Sequence, residues 1–188
     1  MLLRVFFILV IAWPVSEIIL AVFFRAKRDS AKVKDRGSLA LLWITIAAAL
    51  TAANVISVAG IGRVGVAPVV SFSVALVMLV AGLVLRWAAI ITLGRFFTTN
   101  VAVVPGHAVV RTGVYRRLRH PAYSGLLLAF AGTGVALHSW LSFLVVVVPI
   151  TAAMLYRIRV EESALVDALG SEYVDYRSVT KRLIPGVY

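Results

Sequence analysis

The chain has 188 residues, 62% of them hydrophobic and only 14% charged, with a net charge of +11 and a mean hydropathy of +1.00. A soluble globular domain is nearer half apolar and about a quarter charged, so this composition excludes one and indicates an integral membrane protein. The cations flank apolar runs, which makes them topology and lipid-headgroup signals and argues against nucleic acid as a partner. With no cysteine in the chain, disulfides, thiolate metal ligands and a cysteine nucleophile are excluded as well.

A bilayer core is crossed by about 20 apolar residues in helical form. Runs of that kind at 2–24, 38–59 and 68–91 predict three spanning helices. The first is longer than the about 7–15 residues of a signal-peptide core and lacks a small-residue cleavage site, so it is expected to stay as an anchor. A further apolar region from Tyr123 to Tyr156 is too long for one helix and is broken at His138-Ser139, with Trp140 placed as an interfacial aromatic. It predicts a tight helical hairpin. The expected fold class is therefore an all-α integral membrane protein with five transmembrane helices, the last two a hairpin, followed by a C-terminal cytoplasmic region.

The Lys and Arg positions supply an independent check. Six cations lie between Arg25 and Arg36, five between Arg95 and Arg119, and five from Arg157 onward, and a five-helix arrangement puts all three groups on one side. The positive-inside rule makes that side cytoplasmic, with the N-terminus outside. The plasma (inner) membrane is the expected location.

Charge within the spans is limited to Glu17 in the first and Arg86 late in the third. Arg86 lies about one and a half turns from the helix end and is expected to snorkel to the interface. Glu17 alone implies no mechanism. Gly60-Ile61-Gly62-Arg63-Val64-Gly65 spells a dinucleotide fingerprint, but that motif has meaning only between a strand and a helix of a βαβ unit. Between two membrane helices it reads as a turn.

From Gly94 the chain changes character, with short polar and apolar runs broken by glycine and proline up to Gly125. Such a segment presents many backbone donors and acceptors to a polar ligand at the membrane surface. Further on, Arg157 and Glu161 are four apart and share a helix face. As a surface pair they contribute at most about half a kcal/mol, but emerging from a span they can face a partly desolvated pocket. His107 and His120 are 13 residues apart with no metal-ligand spacing, so no metal site is assigned. His120 precedes a proline, which holds it extended at a corner entering the fourth helix. His138 is read as a polar interfacial residue.

In order, the pieces are Gly-x-Tyr, Arg-His-Pro-x-Tyr-x-Gly, an Arg followed by Glu-Glu, Leu-Gly-x-Glu-Tyr-x-x-Tyr and a closing Leu-Ile-Pro. Together, over roughly Leu93 to Pro185, they resemble the isoprenylcysteine carboxyl methyltransferase family and, more broadly, membrane methyltransferases including those of phospholipids. The resemblance implies a division into a three-helix membrane region, 1–92, and a methyltransferase core, 93–188, whose C-terminal region binds S-adenosylmethionine and admits a lipophilic acceptor from the bilayer. Carried over by position, His107, Ala108, Val109 and Val110 look like a backbone cradle for the cofactor, with Tyr115 and the corner His120, Pro121, Ala122 and Tyr123 beside it. Glu161 looks like a cofactor contact and Arg157 like the residue that orients the acceptor. Asn100 falls where eukaryotic members have a glutamine contact.

The chemistry is consistent with that resemblance. S-adenosylmethionine carries a sulfonium and an ammonium, which an acid and aromatic faces favour. A carboxylate acceptor is already ionised near neutral pH and needs no general base. The expected function is methylation of a lipophilic acceptor, preferably the carboxylate of an isoprenylcysteine-like substrate. The alternatives are a phospholipid or other lipid N- or O-methyltransferase and, in another class, a small transporter or structural membrane protein. The first two helices contribute little to the resemblance and so carry the substrate question, although their Phe, Trp, Leu and Ile are explained as lipid-facing or packing residues.

Overall fold

The computed structural model describes residues 2–23, 32–33, 35 and 37–187. The cation-rich connection from Arg25 to Arg36 therefore lies mostly outside the described residues. The helices, in chain order, are α1 (Leu2–Phe23), α2 (Ser38–Val58), α3 (Pro68–Leu93), α4 (Pro121–Ala136), α5 (Trp140–Leu169) and α6 (Ser171–Val179). Two-residue strands β1 (Lys32–Val33) and β2 (Ala102–Val103) pair antiparallel, Lys32 opposite Val103. That ladder pins the connection after α1 onto the loop after α3.

Local chemistry sets the helix ends. Pro68 and Pro121 occupy first helical positions, where a missing N–H costs nothing. The Ser139 side chain caps α5 by accepting from the Ser142 amide. The carboxylate of Asp35 accepts from the Leu39 amide at 3.2 Å and so closes the start of α2. Between α4 and α5 only three residues intervene, and His138 takes a left-handed conformation (φ 56°) to make the turn.

Among the described residues, the stretches Ser38–Val58, Pro68–Phe96 and Trp140–Leu169 are long and apolar enough to cross a bilayer, and Pro121–Ala136 is a shorter apolar helix. Large apolar side chains such as Ile11, Ile44, Val77 and Ile91 are each more than two-thirds exposed, which in this composition is the lipid-facing surface. The hairpin falls where the break at His138-Ser139 indicates. However, α5 does not end near Tyr156: it continues to Leu169 as one 30-residue helix. Arg157, Glu161 and Glu162 are thereby rigidly tied to the span.

Close contact holds α3 against α4. A Cβ on Gly125 would lie 2.5 Å from the Gly82 carbonyl oxygen, and one on Gly132 would lie 2.8 Å from that of Ala75, so only glycine permits this crossing. α2 packs chiefly on α5, where the Ser142 hydroxyl donates to the Ala53 carbonyl at 2.8 Å. One apolar core takes Trp13 from α1, Ala53 from α2, Leu79 from α3, Phe130 from α4 and Ile150 and Met154 from α5. Trp13 and Phe130 meet with ring centroids 4.7 Å apart.

The C-terminal segment folds back onto the entry to α4. The Arg119 and His120 amides donate to the carbonyls of Lys181 and Arg182, and the Ser124 hydroxyl donates to that of Leu183 at 2.7 Å. The Tyr176 hydroxyl donates to the Tyr115 carbonyl at 2.7 Å. These bonds fix the corner at His120.

Candidate active site

Two residues of α5, Arg157 and Glu161, build the site. Arg157 and Glu161 share a helix face as their spacing requires, but they do not pair directly. The Tyr123 hydroxyl stands between them, accepting from Arg157 Nε at 2.9 Å and donating to Glu161 Oε2 at 2.9 Å. Arg157 is buried, and its remaining donors are largely committed: Nη1 to Asp35 Oδ1 at 2.7 Å and the Ser38 hydroxyl at 2.8 Å, Nη2 to the Thr99 carbonyl at 2.6 Å. The surface-pair reading is thus replaced by a buried network that joins α2, α4, α5 and two loops.

Glu162 lies about 100° further round the helix and serves another purpose. Its side chain is 4% exposed, against 31% for Glu161. It accepts from Arg119 Nε at 3.0 Å and Arg182 Nη2 at 2.9 Å, and faces His120 Nε2 at 3.3 Å. A buried carboxylate among cations anchors the corner and the tail together. Arg119, read mostly as a mark of the cytoplasmic side, is part of this anchor.

A cavity of about 250 Å³ opens beside these groups. His107, Ala108, Val109 and Val110 line one wall, with Asn100, Tyr115, His120, Ala122, Tyr123, Arg157 and Glu161 around the rest; Pro121 is packed behind it, fully buried. Two buried polar atoms on this wall, His107 Nδ1 and the Thr99 hydroxyl, have no hydrogen-bond partner among the described residues. Tyr173 from α6 also faces in. Burial and the nearby Glu161 carboxylate push the Tyr115 and Tyr173 phenols well above their ordinary range, so both stay neutral. His107 is held below its usual pKa by burial, opposed by Glu161.

The cavity continues into an apolar arm lined by Trp13 and Pro14 of α1, Leu42 and Ile46 of α2, and Phe130 of α4. The first two helices, which carry the substrate question, therefore contribute apolar residues to the cavity. Nor does Arg86 snorkel to the interface. It is 7% exposed and makes a two-point ion pair with Glu17, whose other contact is the Trp13 indole N–H at 3.1 Å. Both charges line the cavity, and the pair ties α1 to α3.

Sequence reasoning missed Asp35, Ser38 and Thr99 as partners of Arg157. Asp35 sits in a run of cations that reads as a topology signal, and an acid within such a run is the signal that was available. Burial works against its charge, but the hydrogen bond and charge of Arg157, helped by the Leu39 and Val101 amides, hold its pKa below the ordinary carboxylate value.

Fold and site together define an integral membrane protein whose helices enclose a chamber with charged and aromatic walls, opening into an apolar arm at membrane depth. Residues 75–167 of the chain match the model of the isoprenylcysteine carboxyl methyltransferase family. It is 37% identical over 114 residues to protein-S-isoprenylcysteine O-methyltransferase B of Arabidopsis thaliana, covering 60% of this chain and 58% of that protein. To the protein-S-isoprenylcysteine O-methyltransferase of Saccharomyces cerevisiae it is 32% identical over 103 residues, covering 54% and 43%. A solved structure of the eukaryotic intramembrane Ras methyltransferase of this family superposes with a TM-score of 0.58 at 32% identity, over 61% of this chain and 42% of that one. The chain thus spans little more than half the length of the Arabidopsis relative and less of the others.

Proposed function

We propose that this chain is a membrane-embedded methyltransferase that uses S-adenosylmethionine to methylate the carboxylate of an isoprenylcysteine-like acceptor. The observation that carries the proposal is a single cavity with two unlike parts: a chamber holding Glu161 and the unpartnered His107 Nδ1, and an apolar arm running between α1, α2 and α4. The chamber suits a small zwitterionic cation and the arm suits a hydrocarbon tail.

The residues present fit the cofactor. Glu161 offers a carboxylate to its cationic groups, Tyr115 and Tyr173 offer neutral aromatic faces, and the segment from His107 to Val110 offers backbone groups. When bound, S-adenosylmethionine supplies an electrophilic methyl carbon whose bond to sulfur leaves its electron pair on sulfur as the acceptor oxygen takes the methyl. No proton moves when the acceptor is a carboxylate, which is ionised near neutral pH. The work left to the protein is alignment and exclusion of water. Arg157 orients the acceptor; that it already holds one carboxylate, Asp35, in this structure supports a carboxylate acceptor.

In this reading 1–92 is the membrane region that completes the apolar arm and 93–188 the methyltransferase core. All five helices α1 to α5 span, the N-terminus lies outside, and the chamber and C-terminus face the cytoplasm of the plasma (inner) membrane. The cation distribution supports that orientation. At 16 residues α4 is about 24 Å long, short of a core about 30 Å thick, so the turn at its end lies within the membrane edge.

Calorimetry of the purified protein with S-adenosylmethionine and its demethylated product tests the first half, and absence of binding at high micromolar ligand refutes it. Transfer of labelled methyl to a synthetic prenylcysteine, compared with transfer into extracted phospholipids, tests the second. Label found only in phospholipid amines assigns the alternative acceptor.

A further inference from the structure

Arg157 is placed to orient an acceptor, yet it is not a free cation. Asp35 Oδ1 sits 2.7 Å from Nη1, and nothing else among the described residues places a carboxylate in hydrogen-bond contact with this guanidinium. Nor is Asp35 a loosely held visitor that an acceptor displaces. Its backbone carbonyl accepts from the Ser38 amide at 2.9 Å, and its carboxylate accepts from the Leu39 amide, the Val101 amide and the Ser38 hydroxyl. Two residues before it, β1 is laddered to β2. Asp35 is not among the residues lining the cavity, whereas Arg157 is. The carboxylate thus backs the guanidinium from outside the chamber and is fixed there by α2 and the strand.

Resting on the acceptor assignment above, we propose that Asp35 is a positioning residue that moderates the charge of Arg157, so that the site orients an acceptor carboxylate without binding its charge tightly. The chemistry gives the reason. In methyl transfer the acceptor oxygen attacks the methyl carbon, the C–O bond forms as the C–S bond breaks, and the acceptor loses its negative charge to become a neutral ester. A full cation beside that oxygen stabilises the starting carboxylate more than the transition state and slows the step. A guanidinium paired from behind by Asp35 keeps its planar, directional N–H groups while presenting little net charge. It also lets the neutral ester and the charged acceptor exchange without a large penalty.

The test is the split between KM and kcat. Asp35→Asn keeps the size of the side chain and an acceptor oxygen for Arg157 but removes the countercharge. The expected result with a prenylcysteine acceptor is an acceptor KM lowered about fivefold or more together with a kcat lowered by a similar factor, and Asp35→Glu restoring both toward wild type. An acceptor KM that rises, or a kcat that falls with KM unchanged, overturns the proposal and leaves Asp35 a purely structural partner. The wild-type protein decides the matter even where the variant fails to fold: the prenylcysteine carboxylate and its carboxamide are compared as competing ligands. Affinities within about threefold are expected, and a carboxylate preference above tenfold overturns the proposal. Failure of the underlying reading looks different, since then neither compound competes and no label reaches the prenylcysteine.

Discussion

The Tyr123 hydroxyl donates to the Glu161 carboxylate at 2.9 Å. Because the same oxygen accepts from Arg157 Nε, the single phenolic proton has only one direction in which to point. The hydroxyl fixes one oxygen of the Glu161 carboxylate, and the other lies 3.9 Å from His120 Nδ1. Tyr123→Phe removes two charge-assisted hydrogen bonds, each of about 1.5–3 kcal/mol. Titration calorimetry should show S-adenosylmethionine bound at least tenfold more weakly, with the protein still folded; unchanged affinity would detach Tyr123 from the cofactor site.

Two adjacent acids should separate cleanly. Glu161→Ala is expected to abolish cofactor binding with little change in thermal stability, since this carboxylate is partly exposed to the cavity. Glu162→Ala removes a buried carboxylate from Arg119, Arg182 and His120, and breaking a buried ion pair costs about 3–5 kcal/mol. Its signature is a lowered unfolding midpoint in detergent, partly recovered by ligand. The reverse pattern would exchange the two roles.

The Glu17–Arg86 pair is an ionic link between helices at membrane depth. Replacing Glu17 alone by Gln leaves Arg86 uncompensated and should destabilise the protein by about 3–5 kcal/mol, whereas Glu17→Gln with Arg86→Met should recover most of it. Denaturation of Glu17→Gln, of Arg86→Met and of the double variant gives the coupling energy directly. A coupling near zero would mean that the charges are solvated from the cavity.

Alkaline stability follows from the tyrosines. Burial pushes Tyr176 up to about 12, against the lowering effect of Arg119 and Arg111, and Tyr115 and Tyr173 higher still. In the unfolded chain these phenols titrate near about 10. Between those values the folded state holds more protons, so stability falls as pH rises. The unfolding midpoint should therefore be insensitive to these groups up to about pH 9 and decline from about pH 10, with tyrosinate absorbance from them appearing only on unfolding. Early tyrosinate absorbance in the folded protein would place these rings in water.

Much of this architecture is readable from apolar run length alone. A hydrocarbon core dictates about 20 apolar residues per helix, and the break at His138-Ser139 can only be a turn, so the helices and the hairpin follow without tertiary information. The ordered pieces from Gly113 to Pro185 are equally local, and Tyr115, His120, Tyr123, Arg157 and Glu161 within them line part of the chamber. What lies beyond local pattern is partnership. Asp35 and Arg157 are 122 residues apart and Glu17 and Arg86 are 69 apart, and a charge in a span or a basic loop looks the same whether it is solvated or paired. Glu161 and Glu162 differ in role only because a helix turns 100° between them and the neighbouring elements determine what each one meets. The apolar arm was hidden for a similar reason: lipid and a hydrocarbon-binding cavity ask for the same side chains, so only the packing of α1 and α2 against α4 distinguishes the face that lines a site from the face that meets the bilayer.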